Sequence, residues 1–407
     1  MSFDENTLYN IKTSLPGTRC PLFDLAIWKN GLAFKKIDFS EDGVPVIKIA
    51  ELNNGIGSNT SFTEGDYGEE VRLHQGDLLF SWSGNPQTSI DVYKYQLDDG
   101  WLNQHIFKVT ANETMASKDF LFYLLKYLKP HFTQIATNKQ TTGLGHVTIA
   151  DLKRMSVVVP EKIIQDRIVA VVKTIDDKIE VNNEINKNLE QQAQALFISW
   201  FVDYTPFNGV KPGLWKNMSV YELAEYINGA AFKKNEYADK GLPIIKITEL
   251  KNGITDATQY CCTEKDVKYY IDDRDILFSW SGNPDTSIDT FLWSNGKAIL
   301  NQHTFRVVSK YNAPAFTFFL LKYLKPQFTH IASNKQTTGL GHVTVADLKR
   351  LQFCADENAI RDFNAITMPF FDMIFSNYKE NQYLSSLRDT ILPQLMSGEL
   401  DVSEIDL

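Results

Sequence analysis

The chain has 407 residues, of which 43% are hydrophobic and 12% aromatic, and a formal net charge of −9. The length exceeds one ordinary core and predicts two to three domains, and the composition excludes global disorder. The acid surplus counts mildly against nucleic-acid binding, where phosphate favours Lys and Arg, although a basic groove can sit on an acidic body.

The four cysteines (Cys20, Cys261, Cys262, Cys354) form no C-x-x-C pair, and the seven histidines show no H-x-x-x-H spacing. A disulfide framework and a metal site are therefore not expected. No stretch approaches the roughly 18 apolar residues of a membrane span. The polar start, Met1 to Asn10, is no secretory signal. A cytoplasmic protein is expected.

In chain order, Val44 to Ile49, Asp77 to Trp82 and His105 to Val109 read as strands, being β-branched or aromatic and bounded by Gly and Pro. Phe120 to Leu128 reads as a helix ended by Pro130. Gly143 and Gly145 mark a tight loop, and Met155 to Val159 a closing strand. From Ile163 to Phe201 no Pro or Gly intervenes. Ile164, Ile168, Val171, Ile175, Ile179, Ile185, Leu189, Leu196 and Trp200 follow steps of mostly three and four, one face of a long helix. Asn182 breaks the stripe as a polar seam residue of the kind that fixes register.

The same series then returns. Phe80-Ser81-Trp82-Ser83-Gly84-Asn85-Pro86 recurs unchanged at Phe278 to Pro284, and Leu102-Asn103-Gln104-His105 at Leu300 to His303. Phe120 to Arg154 matches Phe316 to Arg350 at 29 of 35 positions. The copies diverge at Asn59–His74 against Thr258–Asp272, and at Asp91–Trp101 against Asp289–Ile299. A second apolar stripe runs from Ile360 to Leu395, with Asn377 and Asn381 interrupting it and Pro369 expected to kink or restart the helix. The fold class expected is α+β: two mixed α/β domains joined by two long antiparallel helices, about 60 Å each, forming a coiled coil with pseudo-twofold repetition. The expected division is 1–160, 161–205, 206–357 and 358–407. Helix-pairing residues should include Ile175, Ile185 and Leu189 on one helix, and Ile374, Leu384 and Leu387 on the other.

No catalytic constellation emerges. Asn85-Pro86-Gln87-Thr88 lacks the second proline and the aromatic of an adenine methyltransferase tetrapeptide and reads as a turn. Gly143-Leu144-Gly145-His146 lacks the Gly-Lys-Ser/Thr ending of a P-loop. Asp176-Asp177 fits a solvated helix face. What is present suits recognition, since Lys meets phosphate while Gln, Asn and Thr read base edges. The DNA-facing candidates are Lys35, Lys36, Lys48, Asn85, Gln104, His105, Lys139, Gln140, Thr141, Thr142 and His146. Their counterparts are Lys233, Lys234, Lys246, Asn283, Gln302, His303, Lys335, Gln336, Thr337, Thr338 and His342. Each taken singly also fits a surface loop or a satisfied turn, and Trp82 and Trp280 in apolar strands read as core.

With those residues in hand, the chain resembles a type I restriction-modification specificity subunit over essentially its whole length. The resemblance rests on Gly76-Asp77 through Gly84 with Leu102 to His105, and on Thr142 to Val147 leading to Asp151-Leu152. It rests further on Asp176 to Glu180 with Ser199 to Asp203, and on Arg388-Asp389 through Glu399. It implies two target recognition domains reading the halves of a split double-stranded DNA target, and helices that set the unread gap. It also implies docking of two methyltransferase subunits, with restriction subunits bound through them and no membrane association. S-adenosylmethionine and ATP would belong to those partners, leaving this chain without cofactor or catalysis. Shared loops in both copies predict a near-palindromic target, with half-sites of about 3–5 bp and a gap of about 5–8 bp. Alternatives are a stand-alone methyltransferase or nuclease with unrecognised motifs, and a coiled-coil adaptor binding protein alone.

Overall fold

The computed structural model describes residues 4–402 except 58, 141, 142, 256 and 337–339. Contacts divide the chain into two compact units: residues 1–177 with 385–407, and residues 178–384. The boundaries between these units fall within the two long helices.

In the first unit, an antiparallel sheet orders Ala26–Asn30, Ile106–Ala111, Leu78–Ser81 and Asp91–Lys94. Phe80 opposes Phe107, and both are buried beneath the helix Lys118–Tyr127 and the one that follows it. The first of these helices ends at Tyr127, just before Pro130 as expected, and Pro130 opens the next one. It stands in the first turn of Lys129–Asn138, where its missing N–H costs nothing. A second, smaller sheet orders Phe62–Thr63, Val44–Ile47, Gly100–Leu102 and Arg72–Leu73, its central pair parallel. This sheet has its own core of Val46, Ile47, Leu79, Trp101 and Leu102.

The second unit repeats the plan, with Ala224–Asn228, Thr304–Ser309, Ile276–Ser279 and Asp289–Leu292 in the larger sheet. Its smaller sheet gains an outer strand, Tyr237–Ala238, beside Tyr260–Cys261.

The long helices run Lys162–Phe201 and Glu357–Ser397. Asp356 caps the distal one by accepting from the Ala359 N–H at 2.8 Å. That helix neither stops nor restarts at Pro369. Pro369 and Ala365 lie on its exposed face, so water can take the carbonyl released there, while Phe363, Phe371 and Ile374 are anchored in the core.

Within the first unit Ile168 and Val172 of the central helix share a core with Leu392, Leu395 and Met396 of the distal one. Arg388 donates to Asp176 at 3.0 Å, and Tyr123 fastens the same carboxylate to the domain at 2.9 Å. Within the second unit the seam is polar. Asn182 donates to Glu380 at 2.7 Å and to Asn381 at 2.8 Å, and Asn377 donates to Asn186 at 2.7 Å. As one number rises its partner falls, so this pair is antiparallel. Ile374 is fully buried and Leu189 packs on the same core, while Leu384 and Leu387 are half-buried. Ile185, expected in the seam, is 40% exposed. The turn it was assigned to is filled by Asn182 and Asn186, at 0% and 4% exposure.

Candidate nucleic-acid interface

Four chain segments that are distant in sequence cross at one place in the first unit. Strand Ala26–Asn30 exits through Gly31, which lies so close to the Asn103 carbonyl that a Cβ would stand 2.2 Å from its oxygen. Val44–Ile47 pairs with Gly100–Leu102, and the Asn103 N–H donates to the Ile47 carbonyl at 3.1 Å. Lys48, next in the chain, is thereby set beside Asn103-Gln104. Gln104 is fixed through its N–H to the Leu32 carbonyl at 2.9 Å. Strand Leu78–Ser81 emerges at Trp82, whose N–H donates to the His105 carbonyl at 3.2 Å.

The loop carrying His146 closes the crossing. Gly145 packs on the Ala136 carbonyl, 2.2 Å from where a Cβ would be, and His146 pairs with Ser83. Ser83 Oγ and His146 Nδ1 are 2.9 Å apart. Trp82 lies between two imidazoles, its ring centroid 5.8 Å from that of His105 and 5.9 Å from that of His146. Its Nε1 donates to Asn30 Oδ1 at 2.9 Å. Burial and the neighbouring His146 hold the His105 pKa below the usual histidine value.

The second unit repeats this arrangement almost bond for bond. Trp280 donates to Asn228 at 3.1 Å and lies 5.8 Å from His303 and 6.0 Å from His342. His342 Nδ1 is 3.0 Å from Ser281 Oγ, and Gln302 is fixed by the Ala230 carbonyl at 2.9 Å. The half-exposed indoles belong to this polar cluster and are not simply core, as their strands suggested. Their partners Asn30 and Asn228, each followed by a glycine (Gly31 and Gly229), are not among the residues expected from sequence to face DNA.

Other candidates are placed differently. Lys139 and Lys335 do not offer free ammonium groups to phosphate. Lys139 Nζ stands 2.5 and 2.6 Å from the oxygens of Asp151, and Lys335 engages Asp347 in the same way. Those carboxylates are 5% exposed and also accept from Thr148 and Thr344. Burial pushes the Asp151 pKa up, but hydrogen bonds from Lys139 and Thr148 outweigh it and hold the carboxyl below its ordinary value. These pairs pin both ends of the loops that carry His146 and His342.

Asn85 and Asn283 build turns, accepting with Oδ1 from the N–H groups of Gln87 and Thr88, and of Asp285 and Thr286. Lys48 Nζ donates to Ser61 Oγ at 3.0 Å, and Lys246 donates to Gln259. Lys35, Lys36, Lys233 and Lys234 are exposed at the start of short 3-10 turns. Gln140 and Gln336 are exposed just beyond the helices that end at Asn138 and Ser333. Thr141, Thr142, Thr337 and Thr338 lie outside the described residues. Among the described residues, no group of three or more His, Cys, Asp or Glu could hold a metal ion. No helix among them is long and apolar enough to cross a membrane.

Residues 20–191 and 212–354 match the family described as type I restriction modification DNA specificity domain. The HindI type I restriction enzyme specificity subunit of Haemophilus influenzae is 21% identical, over 81% of this chain and 87% of its own length. The MjaIX specificity subunit of Methanocaldococcus jannaschii is 24% identical, over 74% of this chain and 73% of its own. Among solved structures, the S subunit of a type I system from M. genitalium aligns over 95% of this chain and 97% of its own, at 15% identity and a TM-score of 0.45. With both of its repeated units matched, the chain belongs to the type I restriction-modification DNA specificity family, and its role is DNA sequence recognition.

Proposed function

We propose that the chain reads a split double-stranded DNA target, one half through each unit, and that the clusters around Trp82 and Trp280 touch DNA in both halves. The observation that carries this reading is the repetition of one exposed polar cluster, with the same internal hydrogen bonds, in two units of a DNA specificity protein. Imidazole and amide groups can reach phosphate or base edges, while the indole N–H groups hold Asn30 and Asn228 in place. The chain positions two methyltransferase subunits, and restriction subunits through them. S-adenosylmethionine and ATP are bound by those partners, and methyl transfer and cleavage take place there.

Co-expression with the modification subunits, followed by methylome sequencing, tests the assignment. The complete set is expected to methylate a split sequence, and this chain alone to transfer no methyl group. Methylation that is unchanged when this chain is omitted would overturn it. For the cluster, Gln104→Ala with His105→Ala should weaken retention of target DNA by about 1–3 kcal/mol, with unchanged thermal unfolding. Gln302→Ala with His303→Ala should do the same through the other half.

A further inference from the structure

Residues identical in both units cannot tell two different half-sites apart. The recognition cluster is shared, and so are 29 of 35 positions from Phe120 to Arg154. By contrast, Ser61 to Arg72 and their counterparts Gln259 to Tyr270 have no identical position. This stretch begins with the strand Phe62–Thr63, outermost in the first unit's small sheet, or with its counterpart Tyr260–Cys261, which in the second unit is flanked by Tyr237–Ala238. It is not remote from the shared cluster. The Ser61 carbonyl accepts from the Val46 N–H at 2.8 Å, one residue before Ile47 binds Asn103. Its hydroxyl accepts from the Lys48 ammonium, and in the second unit the same ammonium, that of Lys246, goes to the Gln259 side-chain carbonyl.

The backbone frame is therefore constant while the side chains it presents change. Glu64 and Cys262 are both exposed just past the strand, and Gln259 is exposed where Ser61 is half-buried. A hydroxyl and a carboxylate stand on one unit and an amide and a thiol on the other. The donor and acceptor sets differ at base-reading scale, because carboxylates accept from the cytosine amino group and amides pair with adenine.

We infer that this strand and its flanks, residues 61–64 and 259–262, form the specificity-determining segment of each unit, so that the two half-sites differ there. The inference rests on the DNA-reading assignment above. Its test is separate from it, because the unaltered complex reports on that assignment and the exchanged variants report on this one.

Two variants of the full chain, Ser61→Gln with Glu64→Cys and Gln259→Ser with Cys262→Glu, are assembled with the modification subunits. Each complex is used to select from a pool of duplexes randomised over the target, and the host methylome is sequenced. Each variant is expected to change the preferred base by tenfold or more at one or more positions of one half-site, with the other half-site kept. The two variants should act on opposite halves. Selection of the unaltered target by both variants would overturn the inference while leaving the DNA-reading assignment in place. Loss of all DNA retention from both would equally overturn it, since exchanges at these positions would then act on the fold and not on the reading.

Discussion

Single residues change meaning once their partners are seen. Lys139 in a polar Gly-containing loop has the composition of a phosphate contact, and only the fold shows that a buried carboxylate lies 2.5 Å from it. Asp151 lies twelve residues further on, so one-dimensional spacing gives no hint of the pair. Trp82 misleads in the opposite sense. Its apolar strand says core, whereas a bond from its indole to Asn30, 52 residues earlier, places it beside the two imidazoles. His131 carries a consequence for stability. It is 8% exposed, and burial lowers its pKa to about 4. An unfolded chain takes up this proton near pH 6.5 and the folded unit only near pH 4. Stability present above the upper value is therefore lost progressively between the two, by about 1–3 kcal/mol in all. The second copy has Gln327 at this position. His131→Gln should flatten that part of the pH dependence, read as the difference in thermal unfolding between variant and parent from pH 7 to pH 4. Parallel curves would show that His131 does not titrate across the transition.

At the scale of elements, much of the fold is legible because it follows from periodicity and turn chemistry. The strands and long helices come from local patterns, although the first strand stops at Ile47 and Ile49 opens a helix; the antiparallel pairing follows from the internal repeat. The seam was harder to read. An apolar stripe predicts Ile185 inside, yet a helix turn that buries Asn182 and Asn186 rotates Ile185 outward. The polar residues win because each meets a partner across the seam: Asn381 and Glu380 for Asn182, and Asn377 for Asn186. Removing one side of such a pair leaves a buried amide unsatisfied. Asn377→Leu should therefore destabilise the second unit by about 1–3 kcal/mol. Asn186→Leu with Asn377→Leu should recover most of that loss, because two apolar groups replace a matched polar pair. Chemical denaturation of both single variants and the double completes the cycle. Additive losses would show that the bond between them contributes nothing to pairing.

The largest scale was the least legible. Sequence repetition suggests cutting the chain at its helix boundaries, but contacts in space cut through both helices. The first unit is discontinuous. Its core joins Leu8, Tyr9 and Ile11 to Leu392, Leu395, Met396 and Val402, and residues 178–384 lie between them in sequence. Backbone bonds reinforce the join, with Ser14 N–H donating to the Ser397 carbonyl at 2.7 Å and Thr13 Oγ1 to that of Met396 at 3.0 Å. Each fully buried aliphatic contributes about 1.5–3 kcal/mol, so losing four of them removes a large part of the roughly 5–15 kcal/mol that holds a domain folded. The second unit has its own core, built entirely from residues 178–384. A chain ending at Leu384 should therefore lose the first unit and keep the second. Hydrogen exchange should show protection collapsing over residues 4–177 and persisting over the strands from Ala224 to Ser309, and limited proteolysis should leave a resistant fragment close to 178–384. Leu395→Ala gives the milder form of the same test, lowering the stability of the first unit by about 2–5 kcal/mol with exchange in the second unchanged. Equal loss of protection in both units would show that they unfold as one body, and that the shared helices transmit stability between them.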